Sequence, residues 1–180
     1  MLKINIGLTE EQRQGVIQLL NTSLADAYVL VVKTKKYHWD VVGPQFMTLH
    51  KVWQEQYETL TLNIDAYAER VRHLGGYPVG TMEGFLELAT LEEHPGDLLN
   101  ATTMVERLVY DHELVIRNLR LAIDKCSGDF HDEGTADFLT GLMEAHEEMA
   151  WMLRSFIEGQ AVEADGKIAG SHGVPTSTYV

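Results

Sequence analysis

The sequence predicts an all-α protein built as a bundle of four long helices, and three observations predict it. Apolar residues recur at helical spacing through four stretches of roughly 25–30 residues each. All four prolines, Pro44, Pro78, Pro95 and Pro175, fall outside those stretches, so nothing interrupts the helical hydrogen-bond ladders. A chain of 180 residues, 45% hydrophobic and 23% charged, is large and apolar enough to bury one useful core.

The first helix is expected over 9–37. Thr9 is placed to cap its free amides, with Gln12 completing a capping box, and Val16, Leu19, Leu20, Leu24, Ala27, Tyr28 and Val31 form its stripe. Gly43-Pro44 breaks the chain before a second helix over 45–73, whose stripe includes Phe46, Leu49, Val52, Trp53, Tyr57, Leu60, Ile64, Tyr67 and Val71. Gly75-Gly76-Tyr77-Pro78 ends it. Residues 81–89 read as a short helix inside a crossover that closes at His94-Pro95-Gly96-Asp97. The third and fourth long helices are expected over 98–125 and 135–158, the last starting at Gly134-Thr135 with Asp137 in its first turn. One long connection between the second and third helices distinguishes a ferritin-like bundle from a simple up-down one. Residues 159–180 read as a C-terminal tail.

A formal net charge of −13 disfavours nucleic-acid phosphates and membrane surfaces as partners unless a local basic patch exists. The one dense basic cluster, Lys33, Lys35 and Lys36, is short, and neither end of the chain carries a basic arm. The longest apolar run, Ala27 to Val32, is too short to span a bilayer. With a lone cysteine, Cys126, no intrachain disulfide can form. The chain opens without a secretory signal pattern, and the expected location is the cytoplasm.

The chemistry lies in two imidazoles and two carboxylates. Asp65 and Glu69 are four apart on the second helix and share a face about 6 Å apart along its axis. His38 is expected just past the first helix and His50 one turn into the second. Such a set suits a hard or borderline metal such as iron. Fifteen helical steps separate His50 from Asp65, a rise of about 22 Å that no side chains bridge. Either these residues are unrelated, or His38 and His50 of one chain meet Asp65 and Glu69 of another across a two-fold axis. The competing design, a di-iron site inside one bundle, needs Glu-x-x-His on two helices. The spacing does not occur; Glu144-Ala145-His146 falls one residue short.

His38-Trp39-Asp40-Val41-Val42-Gly43-Pro44-Gln45-Phe46, Leu49-His50, Asp65-Ala66-Tyr67-Ala68-Glu69-Arg70 and Leu74-Gly75-Gly76 together resemble the signature of the Dps mini-ferritins. Gly134 to Thr140 and Ala150-Trp151 are similar to that family's fourth helix, and the likeness covers residues 9–158, so that 1–158 is read as a ferritin-like Dps domain. The resemblance implies that His38, His50, Asp65 and Glu69 are intersubunit ferroxidase ligands. It implies a hollow dodecamer that oxidises Fe(II), preferably with hydrogen peroxide or otherwise with dioxygen, stores ferric mineral and protects against oxidative stress. Zinc is a competing ion. Two departures stand out: Gln54 occupies a position where the family often has an acid, and the lysine-rich DNA-binding arm is absent. His146 is an additional possible ligand on the fourth helix.

Other features keep two readings. Trp39, Trp53 and Trp151 serve as core or interface aromatics, or one near the iron absorbs stray oxidising equivalents. Asp124, Asp129, Asp132, Glu133 and Asp137 form a solvated turn or an acidic pore. The leading function is a ferroxidase and iron store. The alternatives are a DNA-condensing protein, which the charge opposes, and a metal-sequestering shell without turnover.

Overall fold

The computed structural model describes residues 4–96 and 98–158; the predicted tail lies outside the described residues. The chain is all-helical there, with α1 (Glu10–Asp40), α2 (Phe46–His73), α3 (Met82–Leu88), α4 (Ala101–Gly128) and α5 (Glu133–Glu158). α1 packs along α2 and α4 along α5, and the two hairpins close into the predicted four-helix bundle with α3 in the crossover. Its core interleaves Leu20, Leu24 and Leu30 of α1 with Trp53, Leu60 and Tyr67 of α2, Leu108 and Leu119 of α4, and Leu139 and Leu153 of α5. α1 is long and apolar enough to cross a membrane by length and composition, more so than its short unbroken apolar run suggested. Its apolar positions are the bundle core instead.

The capping box at Thr9 forms as predicted: Gln12 N donates to Thr9 Oγ1 at 3.2 Å and Thr9 N to Gln12 Oε1 at 2.8 Å. Four boundaries differ from expectation, one of them the end of α4, which runs on to Gly128. α1 continues to Asp40, because no breaker occurs before Gly43 and Lys36 pairs with Asp40 one turn on. α4 starts at Ala101, where Asn100 caps Thr103 N at 2.9 Å, and Leu98 stays 93% exposed outside it. α5 starts at Glu133, not Thr135. Asp132 accepts from Thr135 N at 3.0 Å and Thr135 Oγ1 at 2.6 Å, and from Arg70 Nη2 at 3.1 Å, which fastens the end of α2 to the start of α5. α2 stops where Gly75 turns to φ +86°, a conformation costly for any residue with a Cβ, and a Cβ there would also collide with Ile4.

Buried and half-buried polar groups of α1 hold the crossover. Asn21 accepts from Val79 N, Asp26 from the Thr90 and Leu91 amides, and Lys33 donates to Glu92 O at 2.9 Å and to Asp111 Oδ2 at 2.7 Å. Tyr28 stacks on Phe85 at 3.9 Å, seating α3 on α1. The Lys33, Lys35, Lys36 cluster is therefore not a basic patch. Lys33 is buried in its ion pair, Lys35 lies over the Tyr57 ring at 5.0 Å, and Lys36 reaches Asp40.

Candidate metal centre

His38 lies in the last turn of α1, not past its end, and His50 in the second turn of α2. The short connection folds the two helices back on each other, with Gly43 at φ +112° making the turn. The two imidazoles stack, with centroids 3.7 Å apart and planes within 15°. Each is tied to the other's backbone: His38 Nδ1 lies 2.7 Å from His50 O, and His50 Nδ1 lies 2.8 Å from His38 O. A carbonyl can only accept, so both Nδ1 atoms carry a proton, and in the neutral rings it is Nε2 that presents the lone pair. This is the arrangement that fixes the tautomer and orientation of a metal-ligating histidine. Tyr57 meets the His38 ring edge-on at 5.3 Å, and Phe46 tilts against His50 at 5.0 Å. The reciprocal bonds were not legible in the sequence, because they depend on the angle at which two helices return on each other.

Asp65 and Glu69 lie on the same α2 helix, exposed, with neither a hydrogen bond nor an ion pair among the described residues. α2 is continuous from Phe46 to His73, so the rise of about 22 Å between His50 and Asp65 stands. Among the described residues no group of three His, Cys, Asp or Glu side chains within one chain could hold a metal ion. The structure thus brings His38 and His50 together and leaves the two carboxylates apart from them.

His50, Gln54, Glu58, Leu62, Asp65 and Glu69 share one stripe of α2, as successive steps of four or three residues require. Met47 and Leu62, on the same face, are 58% and 74% exposed. Gln54 Nε2 donates to Glu58 Oε1 at 2.9 Å.

His146 is placed elsewhere. It is buried inside the bundle, its Nδ1 2.9 Å from His112 Nδ1 of α4. Spacing alone gives His112 no role; a histidine on an apolar helical face, opposite another on the paired helix, is the available signal. Among the junction acids, Asp132 is the buried helix cap described above, while Asp124, Asp129, Glu133 and Asp137 are exposed. Trp53 is fully buried, and Trp39 and Trp151 are exposed.

A bundle of four long helices with a crossover carrying a short fifth is the architecture of a ferritin-like protein. The ferritin-like domain family matches residues 17–160. Relatives include DNA protection during starvation protein 2 of Bacillus anthracis, 39% identical over 79% of this chain and 96% of that protein. An uncharacterized low temperature-induced protein of a Nostoc strain is 70% identical over 92% of this chain and 93% of its own length. Among solved structures, a Dps protein from Bacillus brevis superposes with a TM-score of 0.78 at 37% identity, covering 83% of this chain and 99% of that one. DpsC from Streptomyces coelicolor gives 0.85 at 30% identity, covering 89% and 93%. The chain belongs to the Dps mini-ferritins of the ferritin-like family.

Proposed function

We propose that this protein is a ferroxidase and iron store whose reaction site is shared by two subunits. The observation that carries the reading is the cross-bonded pair His38–His50, whose neutral rings would present two Nε2 lone pairs, while Asp65 and Glu69 sit four turns or more from His50 on the same continuous helix. Two copies of α2 packed antiparallel bring His50 of one subunit to the partner subunit's Asp65, and the axis then crosses α2 midway, at Tyr57–Glu58. Burial of the exposed apolar Met47 and Leu62 favours such a pairing. In this reading His38 and His50 hold Fe(II) as substrate, and Asp65 and Glu69 supply the anionic oxygens that favour the ferric state. Each Fe(II) gives up one electron, so one hydrogen peroxide consumes two Fe(II) and leaves two hydroxides. Dioxygen is the alternative oxidant. The ferric product then hydrolyses and is held inside a closed oligomer, by family resemblance a dodecamer in the cytoplasm, where it limits oxidative damage. Zinc, with the same donor preferences, competes for the site.

Formation of ferric absorbance after adding Fe(II) and peroxide tests this. The intact protein should turn over, and His50→Ala and Asp65→Ala should each slow it by at least about tenfold. Variants as fast as the parent would place the chemistry elsewhere. DNA protection without turnover is the second reading, favoured only by the names of relatives such as that of Bacillus anthracis; the net charge of −13 opposes it.

A further inference from the structure

His112 and His146 are 0% and 1% exposed and belong to a polar layer that runs around the bundle. Lys33–Asp111 joins α1 to α4 at 2.7 Å, and His112–His146 joins α4 to α5 at 2.9 Å. Gln56 Nε2 reaches Met149 O at 3.4 Å to join α5 to α2, and the Tyr37 and Trp53 rings, 6.2 Å apart, close the circuit back to α1. Two imidazoles share one proton across an Nδ1···Nδ1 hydrogen bond only if they are opposite tautomers, one donating and one accepting. His112 Nε2 is buried with no hydrogen-bond partner among the described residues. No third His, Cys, Asp or Glu among the described residues completes a metal cage around the pair.

We propose that the His112–His146 pair is an acid-sensitive joint, which ties α4 to α5 while both rings are neutral and loosens the bundle when they charge. A first proton leaves the hydrogen bond in place but buries a cation; a second puts two donors head-on and breaks it. Among the described residues, the charged side chains around the pair are already matched with one another. On α1 and α4, Lys33 and Asp111 neutralise each other. Between α4 and α5, Arg154 pairs with Glu113 and Arg120 with Glu147. α2 contributes Trp53 and Gln56, which do not titrate in this range. Burial accordingly holds His146 down at about 4, and burial together with His146 drives His112 well below the ordinary histidine range. The sign follows. Because both groups bind protons more tightly in the unfolded chain, their contribution is complete above the ordinary histidine value of about 6.5 and is lost progressively as pH falls from there towards about 4.

The test uses the full-length assembly. In His112→Leu/His146→Leu the titrating groups are gone, so its acid unfolding midpoint should lie at least ~0.5 pH unit below that of the parent, with a smaller fall in Tm between about pH 7 and about pH 5. Equal midpoints and equal Tm losses would overturn the proposal. Histidine C2 hydrogen exchange, read by mass spectrometry on the unaltered protein, decides independently and suffices alone if the double variant fails to assemble. The two rings should stay neutral until the acid transition and charge with it. Titration near ~6.5 in the folded protein would sink the idea.

Discussion

At the scale of single residues, chemistry depends on which atom of a side chain is left free. The Nδ1 atoms of His38 and His50 are committed to carbonyls, and so their Nε2 atoms are available to a metal. Gln54 faces the same stripe as His50 but brings an amide, and its N–H₂ is directed at Glu58. Replacing it with Glu adds a carboxylate one turn from His50. Gln54→Glu should raise the number of Fe(II) bound per site under anaerobic conditions, measured by titration calorimetry; an unchanged stoichiometry would show that position 54 does not face a second iron. Cys126 gives a second expectation. Burial, reinforced by Asp132, pushes its thiol up to about 11, so the thiolate is scarce at neutral pH. Ellman's reagent should leave the native protein unmodified and react with one thiol per chain after denaturation.

At the scale of elements, the helices form where apolar spacing, capping chemistry and the absence of breakers agree. Their contacts depend on a few buried polar residues. Lys33–Asp111 is the sharpest case, since removing one member strands the other charge. Asp111→Ala should cost about 3–5 kcal/mol in chemical unfolding, while Lys33→Met/Asp111→Leu should cost markedly less, because no charge is left behind. If the single and double variants are equally unstable, the pair contributes through packing alone. The same residues show what the sequence could and could not reveal. The four helices, the Thr9 box and the short crossover helix were legible because each rests on local spacing. Lys33 read as part of a basic cluster because its partner lies 78 positions away, and Asp132 read as part of a solvated turn or an acidic pore because its partner Arg70 is on another helix. The joint spacing of His38, His50, Asp65 and Glu69 suggested a set, of which one subunit brings together only the two histidines. The stack of the two imidazoles and the His112–His146 pair were not legible, since both are products of how hairpins close.

At the scale of the whole molecule, the proposed function gives each subunit half of a reaction site. The charge of −13 and the dispersal of the lysines into separate local contacts leave little to neutralise phosphates. Duplex DNA should therefore show no mobility shift at physiological salt without added divalent metal. The two-fold pairing predicts that Glu58, at the crossing point, approaches its own copy; Glu58→Cys should join subunits through a short bismaleimide linker. Dimers absent from a denaturing gel would exclude that register.

The central claim, that two chains build each site, is tested most directly by mixing inactive variants. In homogeneous assemblies of His50→Ala or of Asp65→Ala every site lacks one ligand, and both should be slow in Fe(II) oxidation. In a mixed dimer one site lacks both ligands, while the other takes its histidine from the Asp65→Ala chain and its carboxylate from the His50→Ala chain and is intact. Co-assembly should restore part of the activity. The rise of about 22 Å between the two positions along one continuous helix forbids the same rescue within a subunit. Mixed assemblies that contain both chains by mass spectrometry and yet remain as slow as either parent would contradict the shared site.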